Sequence, residues 1–385
     1  MNTQPRRSFF SLSIVSLIVL AVCSATLSAC GVSHAAAPIN IGVAMRAVHE
    51  YGKGQPAAAG PTISSRPTLP FPDAADPSST DEGYKAHIAV LFVQHDYAQL
   101  EKEISTARST KARLQGGIWK LNMFYDAVGH AIPARMGDST VDWDGHLAEI
   151  KKWIAAYPES AAARIALAES YVNYAWEARG HGYAKTVSDS GWNKFGERMQ
   201  LAESALLDAA KVKEKCAYWY EVMQEVALAQ GWDREQARAL FDEATAFEPT
   251  YYHYYREYAN YLTPKWYGDE GETQAFAEES AKRLPEPESS IVYFEIESML
   301  ACPCDEENNS MDTASWPKIK RGYTTIEKLY GTSRLKINRF AYMSVVAQDK
   351  ESARAAFAHI GDDWNYKVWY DPRYFEKAKA WAIAP

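Results

Sequence analysis

Apolar residues recur at helical spacing through most of this chain, and this periodicity narrows its possible folds more than any other feature. One stretch places Leu147, Ile150, Trp153, Ile154 and Tyr157 on a single face of a helix, with polar residues between them. Alternating runs of β-branched residues bounded by tight turns, which are typical of strands, are nearly absent. The sequence therefore predicts an all-α fold.

Capping residues mark the ends of some of these helices. The alanine-rich segment 160–179 ends at Gly180, a residue type that commonly terminates a helix. Asp371 and Pro372 suit the N-cap and the first turn of a closing helix over residues 373–384. Both segments are therefore predicted to be helices with defined ends.

Two segments carry the spacing of the second helix of a tetratricopeptide repeat, in which a small residue, a Phe and a further apolar residue recur. They contain Ala237, Phe241, Ala244 and Pro249 in one case, and Ala353, Phe357 and Ile360 in the other. The small residue lets two helices approach, the Phe fills the space between them, and the Pro turns the chain toward the next unit. This pattern predicts paired helices.

The pairs do not follow one another at a regular interval. Three hydroxyl residues able to N-cap a following helix, Ser160, Thr250 and Ser333, each come after an aromatic residue and two turn-forming residues. They are separated by far more than one repeat length. The prediction is therefore an irregular α-solenoid of tetratricopeptide-like helix pairs.

Residues 1–29 have the features of a lipoprotein signal peptide. Two arginines precede an apolar run without charge, and the run ends in Leu-Ser-Ala before Cys30, which is predicted to carry the lipid. Two alternatives stay open. One is signal-peptidase cleavage after Ala37, which Pro38 disfavours, and the other is an uncleaved membrane-spanning anchor.

Residues 30–82 are predicted to be a disordered tether, because a stretch rich in Pro, Ala, Gly and Ser buries too little apolar surface to fold. Gly31 stands where an Asp would retain a lipoprotein in the inner membrane, so we expect an outer-membrane protein facing the periplasm, with secretion as the alternative. Beyond the tether we expect a helical domain over residues 83–300 and tetratricopeptide-like helices over residues 301–385.

The charge balance excludes one class of partner. The whole chain has a formal charge of −8, and loss of the two signal-peptide arginines makes it more negative. Lys and Arg clusters that neutralise phosphates supply most nucleic-acid affinity, and this chain has no basic cluster. We therefore expect no nucleic-acid partner.

Five short blocks resemble one protein family. They are Asp96-Tyr-Ala-Gln-Leu-Glu101, Trp119-Lys-Leu121, Trp153-Ile-Ala-Ala-Tyr-Pro-Glu-Ser160, Ala175-Trp-Glu-Ala-Arg-Gly180 and Leu262-Thr-Pro-Lys-Trp-Tyr-Gly268. They are similar to the bacterial domain-of-unknown-function family numbered four thousand and thirty-four, over most of residues 85–300. The resemblance implies a tetratricopeptide-like build and no catalytic residues, because no activity is established for the family.

Local motifs for catalysis or metal binding are missing from the sequence. None of the nine histidines lies at a spacing that would place two imidazoles on one helix face, and no nucleotide-binding loop or nucleophile elbow occurs. We therefore expect neither a cofactor nor a metal ion, although ligands brought together from distant positions stay possible.

The cysteines predict a structural bridge. Besides Cys30, the mature chain has Cys216, Cys302 and Cys304, and in an oxidising periplasm three thiols favour one disulfide and one free thiol. A bridge within the Cys-Pro-Cys pair would be strained, and a soft-metal site at the pair lacks a further ligand nearby. The preferred hypothesis is a bridge from Cys216 to one of the pair.

A dense polar and aromatic cluster is the first candidate for a binding groove. Trp176, Glu177, Arg179 and His181 surround the predicted helix end at Gly180, and Trp266 belongs to the same candidate groove. The cluster is compatible with a binding or acid/base site. The structural alternative, in which Arg179 pairs with a carboxylate and Trp176 packs between helices, is favoured.

Six tyrosines fall within residues 250–262, which we predict to form one helix. At 100° per residue the aromatic side chains form one continuous face, and this favours packing against the preceding helix near Phe241. Buried phenols need hydrogen-bond partners, so we expect the face to be partly wet. Tyr252 or Tyr261, at its margin, is predicted to stay partly exposed and to line the groove.

The function hypothesis that follows is a non-enzymatic, membrane-tethered interaction protein. Solenoids present extended surfaces, and we expect a protein or peptide partner in the groove. The alternative is an envelope hydrolase or a glycan-processing or glycan-binding protein. A hydrolase would draw its carboxylates from Glu169, Glu177 or the acidic loop 269–272, and a glycan binder would use the tyrosines.

Overall fold

The structure is a computed structural model that describes residues 41–51, 80–132, 141–180, 182, 184–301 and 314–384. Within these ranges the chain forms seventeen α-helices, two short 3₁₀ helices and no strand. This confirms the predicted all-α fold.

The first nine helices run from Ile41 to Phe247. They are α1 Ile41–Tyr51, α2 Asp81–Val93, α3 Tyr97–Thr110, α4 Lys120–His130, α5 Trp143–Ala156, α6 Ala161–Arg179, α7 Asp189–Ala210, α8 Ala217–Gln230 and α9 Arg234–Phe247. The remaining helices are α10 His253–Tyr261, α11 Glu272–Arg283, α12 Glu288–Leu300, α13 Trp316–Tyr330, α14 Arg334–Val346, α15 Lys350–Ile360, α16 Tyr366–Trp369 and α17 Pro372–Ile383.

The helices stack in two layers. Most helices pack against a chain neighbour, and the even-numbered helices also contact one another in series from α2 to α16. We call this continuous layer the inner layer, and the odd-numbered helices α3 to α15 the outer layer. Contacts that run from neighbour to neighbour are the organisation of a helical-repeat fold, so the predicted solenoid build is confirmed.

Local capping explains many of the helix ends. The Ser160 hydroxyl accepts a hydrogen bond from the Ala163 amide at 3.0 Å, and the Ser333 hydroxyl accepts one from the Lys336 amide at 3.2 Å. Thr250 is not a cap, because α10 begins only at His253 and the Thr250 hydroxyl instead donates to Glu248 Oε1 at 2.8 Å. The predicted helix over 250–262 is therefore shorter at its start.

The tetratricopeptide-like spacing places buried residues between helices as expected. Ala237, Phe241 and Ala244 of α9 are buried, and the Phe241 ring lies 4.9 Å from the Tyr258 ring of α10. In the second segment, Ala353, Phe357 and Ile360 of α15 are buried, and Phe357 contacts rings of α16 and α17.

Helix α1 shows that part of the predicted disordered tether is folded. Residues 41–51 are helical and pack against α7 and α9, so this part of the 30–82 segment is folded. The Tyr51 ring stacks on Trp219 with 4.1 Å between centroids, and its hydroxyl accepts a hydrogen bond from the Cys216 amide at 2.9 Å. The spacing of Ala44, Val48 and Tyr51, all buried, explains the docking. At the other end of the segment, Thr80 caps α2 and Asp81 and Glu82 form its first turn, and residues 30–40 and 52–79 lie outside the described residues.

A loop between α3 and α4 contacts helices far along the chain. The Gly116 amide donates to the Gly331 carbonyl at 3.2 Å, and Lys336 Nζ donates to the Gly116 carbonyl at 2.5 Å. Arg113 donates to the Thr250 carbonyl at 3.3 Å. We call residues 112–119 the crossing loop, because it joins the start of the array to α10 and α14.

The predicted boundary at residue 300 does not divide the structure. The described residues between 41 and 384 belong to one compact unit, and α12 packs against α13 and α14. In the described ranges, no helix combines the length and the apolar character needed to cross a membrane. The signal segment and Cys30 lie outside those ranges.

Candidate functional site

The predicted polar and aromatic cluster is held by structural contacts. The Trp176 ring lies 4.9 Å from Phe195 and 6.0 Å from Trp266. Glu177 accepts a hydrogen bond from Trp143 Nε1 at 2.5 Å, and Arg179 donates to the Gly180 carbonyl at 3.1 Å. His181 lies outside the described residues. The Trp176 contacts agree with the predicted packing between helices, whereas Arg179 bonds to backbone carbonyls and to no carboxylate of the described residues. A binding role for the cluster stays a prediction.

The tyrosine face is interior. Tyr252 and Tyr261 are only 2% and 3% exposed, so the prediction that one of them stays partly exposed is wrong, although Tyr261 does line a small cleft beside Glu257. Four phenols donate to acceptors inside the fold: Tyr251 to Glu221, Tyr254 to the Ala217 carbonyl, Tyr255 to the Pro249 carbonyl and Tyr261 to the Trp232 carbonyl. The hydroxyls are satisfied by backbone and by one carboxylate, and this permits the burial that we expected to be incomplete.

Cys216 is a free and fully buried thiol in the described ranges. Its Sγ lies 3.6 Å from the Tyr125 hydroxyl, and burial raises its pKa. Cys302 and Cys304 lie outside the described residues, so the bridge from Cys216 to one of them stays a prediction.

Titratable side chains of the inner layer interact in series, and we call this series the charged row. It runs from α6 to α14 through Glu169, Glu221, Glu225, Glu257, Arg256, Glu295, Lys336 and Arg339. Acidic groups dominate the end at α6 and α8, and basic groups dominate the end at α14. The row is the largest concentration of buried or half-buried charge that we find in the described chain.

Glu221 is the anchored member of the row. Its carboxylate accepts hydrogen bonds from Asn122 Nδ2 at 2.9 Å and from the Tyr251 hydroxyl at 2.5 Å, and it lies 3.2 Å from His253 Nδ1. Because α4, α8 and α10 all contribute, this carboxylate joins three inner-layer helices. Its role is structural.

Three other glutamates form the acidic end of the row, and we call Glu169, Glu225 and Glu257 the carboxylate pole. Burial, reinforced by the Glu221 charge, raises the pKa of Glu169 to about 8 and that of Glu257 to about 7. Burial and the neighbouring Glu169 and Glu257 charges raise the pKa of Glu225 well above its ordinary value. Like charges in a poorly solvated place cannot all ionise, so the pole holds protons at neutral pH.

The pole is short of partners. Glu225 and Glu257 are half-buried and make no hydrogen bond or ion pair in the structure as described. Glu169 is 6% exposed; its Oε1 accepts from Asn173 Nδ2 at 3.2 Å, the neighbouring Tyr218 hydroxyl favours its ionised form, and its Oε2 makes no hydrogen bond of normal geometry. Glu257 also borders a narrow cleft between α8, α9 and α10, together with Gln224 and Tyr258, with a volume of about 10 Å³ that holds about one water-sized group.

The basic end of the row has more cations than anions. Arg256 lies 3.2 Å from Glu295 Oε2, and Lys336 forms an ion pair with the same carboxylate. Burial opposes ionisation of Glu295, but Lys336 and Arg256 outweigh it and lower its pKa to about 2. Arg339 has no such pair among the described residues, and burial together with the Arg256 charge lowers its pKa to about 9.

A serine–histidine pair also escaped the sequence analysis. His146 Nε2 lies 3.0 Å from Ser170 Oγ, and both side chains are 0% exposed. Burial lowers the pKa of His146 to about 4. No substrate can reach a pair so enclosed, so it serves packing between α5 and α6.

Metal coordination finds no support in the described residues, where no group of three His, Cys, Asp or Glu side chains could hold an ion. The row therefore offers charge and hydrogen bonding only. Some of its members lie more than a hundred positions apart in the sequence, and no local sequence spacing connects them. Of these residues, sequence analysis named Glu169 alone.

Comparison with known proteins tests the family resemblance. Residues 85–231 match the family described as Domain of unknown function (DUF4034). The matched segment is similar to this family. It spans α2 to α8 and carries Glu169, Glu221 and Glu225, whereas the predicted resemblance extended to residue 300 and included the Leu262–Gly268 block. No curated protein and no solved structure matches the chain.

Proposed function

We propose that this protein is a non-enzymatic interaction protein that binds a segment of a partner protein along its inner layer. A lipid at Cys30 would hold it at the bacterial envelope, facing the periplasm from the outer membrane. The site of binding is the charged row together with the cleft beside Glu257.

One observation carries this proposal. Glu225, Glu257 and Arg339 are half-buried on one helical layer, and each lacks a hydrogen bond or ion pair in the described structure. Charged side chains removed from water are normally paired, because desolvation costs free energy that only a partner offsets. A bound segment with charges of both signs would supply those partners.

The neighbouring features agree with a polypeptide ligand. The cleft combines the apolar side chains Ala227, Ala237 and Leu240 with the polar groups of Gln224 and Glu257. Mixed apolar and polar linings of this kind suit side chains of an extended peptide. A glycan-binding role has less support, because the tyrosines that would stack on sugar rings are buried.

The hydrolase alternative keeps one supporting observation. Glu169 and Glu257 have pKa values of about 8 and about 7, which suit a general acid. Glu177 is engaged with Trp143, and Arg234 pairs with Asp269 and Glu272 of the acidic loop. If the chain were a hydrolase, Glu169→Gln would lower turnover ~10²-fold or more, whereas an interaction protein has no turnover to lose.

Site-directed photo-crosslinking tests the proposed function. A photoreactive residue at position 257 faces the row, and one at the exposed position Lys194 of the outer-layer helix α7 is the matched control. We expect discrete crosslinked species from position 257 in envelope preparations and none of the same mass from position 194. Identical patterns from both positions, or none from position 257, would overturn the proposal.

The lipid anchor has its own test. We expect Cys30→Ser to release the protein from the membrane fraction or to leave the precursor uncleaved, because the thiol is the attachment point. Fractionation and mass spectrometry of the mature N-terminus measure this. Processing and localisation identical to the wild type would contradict the lipoprotein hypothesis without affecting the binding site.

A further inference from the structure

The carboxylate pole contains buried acceptors that the fold leaves unused. Glu169 Oε2 has no hydrogen-bond partner although Glu169 is 6% exposed. Gln224 is 7% exposed and lines the cleft beside Glu257, and its Oε1 also has no partner. Gln224 is an observation independent of the acidic groups, since it is uncharged and its Nε2 is already engaged with the Tyr254 carbonyl at 3.2 Å.

All of these unused atoms can accept hydrogen bonds. A buried acceptor without a donor costs roughly 1–3 kcal/mol, and several in one place are retained where a ligand supplies the donors. Ionised carboxylates and amide oxygens select a donor-rich cation, and an ammonium group has three donors while a guanidinium has five. An anion would meet repulsion at this end of the row.

We propose that the carboxylate pole is a receptor for an ammonium or guanidinium group, carried by a Lys or Arg side chain of the bound segment. This inference rests on the proposed function and specifies the chemistry of its ligand. The cation would lie between Glu169, Glu225 and Glu257, with the Gln224 amide oxygen at the cleft as a further acceptor.

Binding of a cation at the carboxylate pole should release protons from its carboxyl groups. A positive charge beside the pole lowers the pKa of its carboxyls, so protons held at neutral pH leave for the buffer. The groups that face the pole are Asp126 and His130 of α4, Tyr218 and Glu221 of α8, and His253 and Arg256 of α10. Among them, Arg256 and His253 interact with Glu257 and favour its ionised form.

The experiment uses a defined probe and two matched double variants. The probe is N-acetylated hexalysine amide, and N-acetylated hexaglutamate amide is the control of opposite charge. Glu225→Gln with Glu257→Gln removes two of the three carboxyls of the pole, and Glu197→Gln with Glu376→Gln removes two carboxylates from exposed positions. Gln mimics a protonated Glu, so the pole variant should fold and melt no lower than the wild type.

Calorimetric titration at pH 7 in two buffers of different ionisation enthalpy measures affinity and proton release together. For the wild type and the surface variant we expect similar affinity and release on the order of one proton per bound peptide. For the pole variant we expect ~10-fold or greater loss of affinity and loss of the proton release. Equal weakening in both variants, or binding without proton release, would overturn the inference, because surface carboxylates are already ionised.

A second ligand distinguishes the two possible sources of the cation, a peptide side chain and a free amine. Spermidine carries the same chemistry without a peptide, and its titration in the same buffers assigns the receptor to free amines if it binds more tightly than hexalysine. The crosslinking result distinguishes the two proposals. Crosslinks from position 257 without binding of either cation would contradict the cation receptor and leave the interaction function standing.

Discussion

Two glutamates of α12, two positions apart, take opposite protonation states. Glu295 is paired with Lys336 and Arg256, and its pKa is lowered to about 2. Glu297 is 0% exposed, neither of its oxygens has a hydrogen-bond partner, and burial together with the Glu278 charge raises its pKa to about 8. The same residue type therefore serves as a buried ion in one place and as a neutral acid in the other, because only one of them has cations beside it.

The first prediction concerns the neutral acid. A carboxyl with a folded-state pKa above its ordinary 4.5 holds its proton more tightly when folded, so stability falls as pH rises from about 4.5 to about 8. Glu297→Gln cannot lose that proton. We expect the free energy of unfolding of the variant, relative to wild type, to rise by on the order of 3 kcal/mol between pH 4.5 and pH 7. Urea unfolding of both proteins at both pH values measures this difference in the free energy of unfolding. A difference between variant and wild type that does not change with pH would contradict the raised pKa of Glu297.

A second prediction at this scale tests the buried tyrosine face. Tyr258 is 6% exposed and stacks on Phe241, with 4.9 Å between the ring centroids. We expect Tyr258→Ala to lower the free energy of unfolding by roughly 3–5 kcal/mol, as other buried aromatic truncations do. Tyr374 of α17 is 54% exposed, and its replacement by Ala is the control, with an expected change below about 0.5 kcal/mol. Similar small effects at both positions would show that the face is not core.

At the scale of elements, α1 behaves as a repeat helix although it lies in a segment of tether-like composition. It docks between α7 and α9, and its last residue, Tyr51, reaches the interior. An 11-residue helix with three buried residues gains enough apolar contact to fold once its neighbours are present. Composition averaged over residues 30–82 hides such a short amphipathic segment.

The third prediction follows from the Tyr51 contacts. Tyr51→Ala removes the stack on Trp219 and should cost roughly 3–5 kcal/mol. Tyr51→Phe keeps the ring and loses only the hydroxyl that accepts from the Cys216 amide, so about 1–2 kcal/mol is expected. Arg46, exposed on the same helix, supplies the control variant Arg46→Ala. Equal stability of all three variants in thermal unfolding would mean that α1 is not docked in solution.

At the scale of the whole molecule, the crossing loop separates this fold from an open array. In a solenoid each unit contacts only its neighbours, and distant parts can unfold independently. Here Gly116 and Lys336 connect the start of the array to α14, and Arg113 connects it to the chain before α10. Unfolding of one end must therefore break contacts of the other.

The fourth prediction tests this connection. Gly116 has φ +67°, and a Cβ there would lie 2.6 Å from Ser333 Oγ, so Gly116→Ala must move the loop. We expect a loss of roughly 2–4 kcal/mol and a smaller dependence of unfolding on urea, because the ends would then unfold separately. Gly361 has φ +60° with nothing within 4 Å of its Cβ position, so Gly361→Ala carries the backbone strain without the clash. If both variants lose the same free energy with unchanged urea dependence, the loop does not couple the ends.

The sequence alone could predict the features that depend on interactions between residues close together in the chain. Some features depend only on atoms within a few helical turns, and their sequence patterns therefore predict helices and paired packing. They are the caps at Ser160 and Ser333, the helix end at Gly180, and the spacing of small residues and Phe near Phe241. The charged row, in contrast, exists only because of the tertiary structure. Glu169, Glu257 and Arg339 come together only because successive inner-layer helices bring them to one surface. Whether each is paired, buried or protonated depends on neighbours that no local spacing specifies, and for the same reason the tyrosines proved to be fully enclosed.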